Sequence, residues 1–222
     1  MKDMEDTKFE KIINWAKEQI PEDVTVSKET HGDRSDVFIL STPDKKYFLK
    51  VGNDLKKEYD RLLWLDGRLP VPKAIAFKVM DNHEALLLSG VKGKNLKVLS
   101  KEWPPEKVVA KIVEAIQKFH NTDLADCPFG TVKNGDVLIH GDASLPNFIF
   151  EGDTFSGYID LGDVTVGNKE TDFAAAIWSL QYNLGKGYGK IFLERFGITD
   201  VTEEVVETLR LKYEDMQEAW GL

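Results

Sequence analysis

Asp142, Asn147 and Asp160 carry the sharpest chemical signal in this 222-residue chain. The first two close the run His140-Gly141-Asp142-Ala143-Ser144-Leu145-Pro146-Asn147, and the third stands in Ile159-Asp160-Leu161-Gly162. Kinase-type phosphoryl transfer needs a carboxylate that orients the attacking hydroxyl and accepts its proton. It also needs an amide oxygen and a second carboxylate that hold Mg²⁺ against the phosphates of ATP. A loop carrying the first two groups, followed by a strand that delivers the third, lets them converge. The alternative is a structural turn rich in Asp and Asn. It gives no reason for a further Asp at the end of an apolar strand.

The first half offers matching parts. Lys50 ends the β-prone run Tyr47-Phe48-Leu49-Lys50, from which a lysine can reach the α- and β-phosphates. Glu58 falls on the next helical stretch and can hold that lysine by an ion pair, although it could equally belong to a charged helix face with Lys56 and Lys57. No GxGxxG is present. The nearest phosphate-covering turn is His31-Gly32-Asp33-Arg34-Ser35-Asp36, which reads equally well as an ordinary hairpin turn.

These groups need elements to position them. Phe9, Ile12, Ile13, Ala16 and Ile20 recur at helical spacing, and Pro21 stops that helix. Short β-prone runs follow at 24–26, 37–41 and 47–51, then a helix over 54–65 and two strands over 74–79 and 84–89. Gly90 and Gly93 loosen the chain there, and the expected lobes are 1–88 for nucleotide binding and 89–222 for catalysis and the acceptor. The second half opens with a helix started by Pro104 and Pro105, with Val108, Val109, Ile112, Ile116 and Phe119 on one face. Strands are expected at 137–139, 148–150 and 157–161, and helices at 173–180, 191–196 and 201–220. A mostly β half before a mostly helical half predicts an α+β fold of two lobes.

Composition narrows the partners. The net charge of −9 argues against nucleic acid and anionic membrane as partners; it would favour a cationic partner, but it reads first as the acidity that serves solubility in many cytosolic enzymes. One cysteine, Cys127, rules out an intramolecular disulfide and a cysteine-based zinc cluster, and the four histidines lack metal-ligand spacing. The first residues are acidic, without an apolar core, and no apolar run approaches a membrane span. A cytoplasmic protein, a monomer or weak homodimer, is expected.

Beyond these groups the chain resembles the aminoglycoside phosphotransferase family, closest to its 3′-phosphotransferase branch. The resemblance rests on residues 47–50 (YFLK), Glu58 with 63–65 (LWL) and 69–73 (LPVPK), and 86–93 (LLLSGVKG). It continues through Phe119-His120, 126–129 (DCPF), 140–147 (HGDASLPN), 157–163 (GYIDLGD) and Asp172. It implies a protein-kinase-like fold, with ATP and Mg²⁺ as cofactors. Asp142 would be the catalytic base, Asn147 and Asp160 the metal ligands, and Lys50 and Glu58 the phosphate lysine and its partner. Phe48 would stack on adenine, Ser89, Gly90 and Val91 would form the hinge that bonds the base, and Ile159 would line the purine pocket. Asp172 would brace the catalytic loop, and His140 would pack and orient it.

Three departures bear on the acceptor. Only residues 130–139 stand where the family carries a helical insertion of several tens of residues that supplies much of its acidic acceptor surface. The chain ends Met216-Gln217-Glu218-Ala219-Trp220-Gly221-Leu222 in place of an acidic and aromatic tail, and Asp163 stands where that branch has Arg. Asp163 and Glu170 remain as acidic candidates on the acceptor side. The expected reaction is transfer of the γ-phosphoryl group of Mg-ATP to a hydroxyl of a small polar substrate, an aminoglycoside or a similar cation. The alternatives are another small molecule or a protein hydroxyl as acceptor, or a nucleotide-binding module without useful catalysis.

Overall fold

Alternating apolar residues build the first part of the molecule. In a computed structural model describing residues 9–28, 35–131 and 135–220, five strands form one antiparallel sheet: β1 (Thr25–Lys28), β2 (Ser35–Ser41), β3 (Lys46–Gly52), β4 (Ala74–Met80) and β5 (His83–Ser89), in the order β1-β2-β3-β5-β4. Helix α1 (Glu10–Glu18) contributes Ile12, Trp15 and Ala16 to a core with Phe38, Leu40, Leu49, Val51, Ala85 and Leu87. Successive strand residues face opposite sides, so Phe48 and Lys50 lie on the other face of β3. Their cross-strand neighbours there are Leu88 and Leu86. Helix α2 (Leu55–Leu65) sits on that face and buries Leu55, Glu58, Leu62 and Leu65. It begins almost directly after β3, because Asp54 takes a left-handed conformation (φ +61°) that turns the chain.

The rest of the chain is mainly helical. β6 (Lys94–Asn95) leads into the one-turn helix α3 (Leu96–Leu99), capped by Asn95, whose side chain accepts from Val98 N–H. Helix α4 (Pro105–His120) has proline at its start and buries Val108, Val109, Ile112, Ile116 and Phe119. β7 (Val137–Ile139) pairs with β10 (Thr165–Gly167), while β8 (Phe148–Glu151) pairs with both β6 and β9 (Thr154–Tyr158). Helices α5 (Lys169–Leu184), α6 (Tyr188–Arg195) and α7 (Glu203–Trp220) complete it. The fold class is α+β.

The chain divides into two compact units, Met1–Asp66 with Pro72–Gly90, and Gly67–Val71 with Val91–Leu222. The division after Gly90 compares with an expected boundary after residue 88. Gly67–Val71, expected in the first lobe, goes with the second unit, where Pro70 O accepts from Tyr158 N–H at 3.0 Å. Gly93, expected to loosen the chain, instead permits a close approach. Its φ is +125°, and a Cβ there would lie 2.2 Å from Phe150 O. β6, α3 and β10 were not expected, since elements of two to four residues are too short to show a period. The strand expected over 157–161 ends at Tyr158, because Asp160 has φ +60° and cannot continue a ladder. No helix among the described residues is long and apolar enough to cross a membrane.

Candidate active site

The loop from His140 to Asn147 is held at both ends by hydrogen bonds, those at its start fully buried. Asp172, in the first turns of α5 and fully buried, accepts from His140 N–H at 3.0 Å and Gly141 N–H at 2.9 Å. Its Oδ2 also meets His120 Nε2 at 2.9 Å. The His140 ring packs on Phe119 and Phe148 at 5.5 and 5.9 Å between ring centres. Its Nε2 lies 3.1 Å from Ile159 O. A carbonyl only accepts, so Nε2 carries the hydrogen and His140 is spent on structure. At the far end, Ile159 N–H donates to Asn147 O at 3.0 Å. These two bonds through Ile159 tie the residue before Asp160 to both ends of the loop.

Within the loop, Asn147 Nδ2 donates to Asp142 Oδ2 and to Asp142 O, each at 2.9 Å, with Ser144 Oγ at 3.3 Å. All three partners are acceptors, so the amide nitrogen must face them and its oxygen must point away. Gly141 is required on two counts: φ is +88°, and a Cβ would fall 2.7 Å from Asp163 Cβ and 2.8 Å from Asp163 O. That contact presses the loop against the segment bearing Asp160, which is itself exposed. Beneath them lies Tyr158, whose hydroxyl donates to Ala115 O at 2.8 Å. Burial, with the charges of Asp172 and Glu114 added, pushes its phenol well above the usual tyrosine range.

In the sheet unit, Lys50 Nζ sits 2.8 Å from both carboxylate oxygens of Glu58, with side-chain exposures of only 15% and 5%. A solvated helix face is thereby excluded for Glu58. Phe48 lies on the same face of β3, and a Cβ on Gly90 would come 3.4 Å from its ring. Ser89 N–H is committed to Lys73 O at 3.0 Å and Gly90 N–H to Lys46 O at 2.8 Å. Ser89 Oγ accepts from Lys73 N–H at 2.9 Å. Of the expected turn at 31–36, residues 31–34 lie outside the described residues, and Ser35 and Asp36 open β2. Among the described residues no cluster of three or more metal-ligating His, Cys, Asp or Glu side chains occurs.

On the expected acceptor side, Glu170 is engaged by Lys212 at 3.1 Å across an exposed surface. One residue escaped sequence reasoning altogether. Tyr213, in α7 and only 3% exposed, donates its hydroxyl to Asp142 Oδ1 at 2.7 Å. Nothing local marks it, since it reads as one more apolar position of a helix 71 residues away.

Solved structures of similar fold are phosphotransferases. An aminoglycoside-3′-phosphotransferase of type VIII superposes with a TM-score of 0.74 at 18% identity, covering 91% of this chain and 97% of that one. An aminoglycoside phosphotransferase APH(3″)-Id from Streptomyces rimosus, in complex with ADP and streptomycin, gives 0.71 at 17% identity, covering 90% and 95%. The fold is therefore that of the protein-kinase-like phosphotransferases. Sequence narrows the class: the profile of the phosphotransferase enzyme family matches residues 28–134 and 132–208, and the chain belongs to that family. An aminoglycoside 3′-phosphotransferase of Niallia circulans is 24% identical over 89% of this chain and 95% of its own. One from Enterococcus faecalis is 26% identical over 80% and 89%. The first alignment runs to 250 positions, more than the 222 residues present, so part of that relative stands opposite gaps in this chain.

Proposed function

We propose that the protein is a kinase of small molecules, using ATP as donor substrate and transferring its γ-phosphoryl group to a hydroxyl of an aminoglycoside or a related polar cation. The reading rests above all on the Asn147 side chain. Its amide nitrogen is bound to Asp142 Oδ2 and Asp142 O, so one group orients the base and turns a hard oxygen donor outward. Asp142 is the base: it orients the acceptor hydroxyl and takes its proton as the oxygen attacks phosphorus, worth roughly 10²–10⁴-fold in rate. Lys50, held by Glu58, binds the α- and β-phosphates.

Asn147 and the exposed Asp160 would hold Mg²⁺, which neutralises charge gathering on the phosphate oxygens. Mg²⁺ keeps waters and phosphate oxygens in its shell and needs only one or two protein oxygens, so the amide oxygen of Asn147 and the Asp160 carboxylate fit it. Phe48 would stack on the adenine and Ile159 would line its pocket. Hinge bonding falls to Val91 and to carbonyl oxygens, since the N–H groups of Ser89 and Gly90 are already committed to Lys73 O and Lys46 O.

Support for the acceptor class comes from the names of the relatives and from the net charge of −9. The test is incubation with Mg-ATP and a pooled aminoglycoside panel, read by mass spectrometry for a gain of one phosphate, beside Asp142→Asn. A product lost in the variant is the expected result. No product, with ATP binding intact, would refute the acceptor class and turn the search to other hydroxyls.

A further inference from the structure

The hydroxyl of Tyr213 lies where the hydroxyl of an acceptor has to be. A general base must sit within hydrogen-bond reach of the proton it removes, and Tyr213 Oη is 2.7 Å from Asp142 Oδ1. The other carboxylate oxygen is engaged by Asn147 Nδ2 at 2.9 Å. The phenol is not a surface group that happened to fall inward. It is 3% exposed, and the Trp178 ring packs against it with centres 5.5 Å apart at 50°. Trp178 is in turn stacked on Tyr182 at 5.4 Å and 7°.

We propose that Tyr213 is a specificity-determining residue that discriminates between acceptor and water. With no acceptor bound, its hydroxyl occupies Asp142 Oδ1 and denies that oxygen to water. An acceptor hydroxyl must displace it, using binding energy from the rest of the acceptor that a water molecule lacks. The reaction so suppressed is hydrolysis of the donor. A water oxygen would bond to the γ-phosphorus while the bond from that phosphorus to the ADP oxygen breaks. The water's proton would end on Asp142, and ADP and inorganic phosphate would leave. Such a guard matters in a kinase because water is present at about 55 M and any acceptor at far less. The inference rests on the reading of Asp142 as base.

The experiment needs no knowledge of the acceptor. ADP release from Mg-ATP without acceptor is measured for the wild type, Tyr213→Phe, Asp142→Asn and the double variant. Tyr213→Phe keeps the ring and removes the hydroxyl, and is expected to raise hydrolysis roughly tenfold, the scale of one hydrogen bond to a charged group. A purely structural role would lower it. Trp178→Phe, which loosens the phenol without deleting it, should raise hydrolysis less and serves as second variant if Tyr213→Phe folds poorly. The double variant should fall to the level of Asp142→Asn.

Hydrolysis at or below wild type in a folded Tyr213→Phe, with Asp142→Asn inactive, overturns the guard and leaves the base standing. Raised hydrolysis that survives in the double variant sinks Asp142 as base. A gain of one phosphate on Tyr213 in the wild type would make that hydroxyl an acceptor and overturn the guard.

Discussion

Asp172 has no exposed surface, yet it bears a carboxylate, and three donors account for it: His140 N–H, Gly141 N–H and the His120 ring. Two of these are backbone groups of the loop that presents Asp142, so the loop's shape is set by a side chain from α5. An amide at this position can accept at only one of its two atoms. Asp172→Asn should therefore leave a buried N–H unpaired, at a cost of about 1–3 kcal/mol in urea unfolding, with a parallel fall in kcat. Unchanged stability would show that the loop is held by other means. Gly141 belongs to the same scale. Ala there meets both a left-handed backbone and a Cβ contact of 2.7 Å, and Gly141→Ala should lose at least about 1–3 kcal/mol together with most of the activity.

Between elements, the Lys50–Glu58 pair fastens α2 to β3. Breaking a buried ion pair by removing one member typically costs about 3–5 kcal/mol. Glu58→Ala is expected to destabilise the protein on that scale and to raise the KM for ATP. The double variant Lys50→Met/Glu58→Leu separates the two roles. It should regain most of the lost stability, because apolar groups of similar size can replace a buried pair, while ATP use stays lost. Recovery of activity with stability would rule out Lys50 as the phosphate-binding group.

For the whole molecule, pH and salt are the informative variables. An unfolded tyrosine ionises near pH 10, whereas Tyr158 keeps its proton beyond that when folded. The unfolded state thus sheds its proton first. The contribution of Tyr158 is complete below about pH 10 and declines above it by up to about 1.4 kcal/mol per pH unit. Tyr158→Phe should flatten the alkaline limb of Tm against pH and cost about 1 kcal/mol at neutral pH for the lost bond to Ala115 O. An unflattened limb would assign alkaline unfolding to other groups. With a net charge of −9, a polycationic acceptor should bind more weakly as salt rises. A KM independent of ionic strength would speak against that acceptor class.

What the sequence determined by itself is the order of parts along the chain. The spacing of Asp142, Asn147 and Asp160, the strand lysine followed by a helix glutamate, and the β-then-α pattern are all local features. They are written in side-chain type and in periods of two and 3.6 residues. Periodicity says which face of an element is buried and not what covers it. Tertiary structure alone therefore decided that Glu58 is a buried partner rather than a solvated face. It also decided that the N–H groups of Ser89 and Gly90 are already spent, and that Glu170 pairs with Lys212. Asp160 stands beside apolar neighbours as a strand end would, and only the backbone shows its left-handed turn (φ +60°) after β9. The contact of Tyr213 with Asp142 had no local trace, since a hydrogen bond across 71 residues exists only once α5 and α7 are packed.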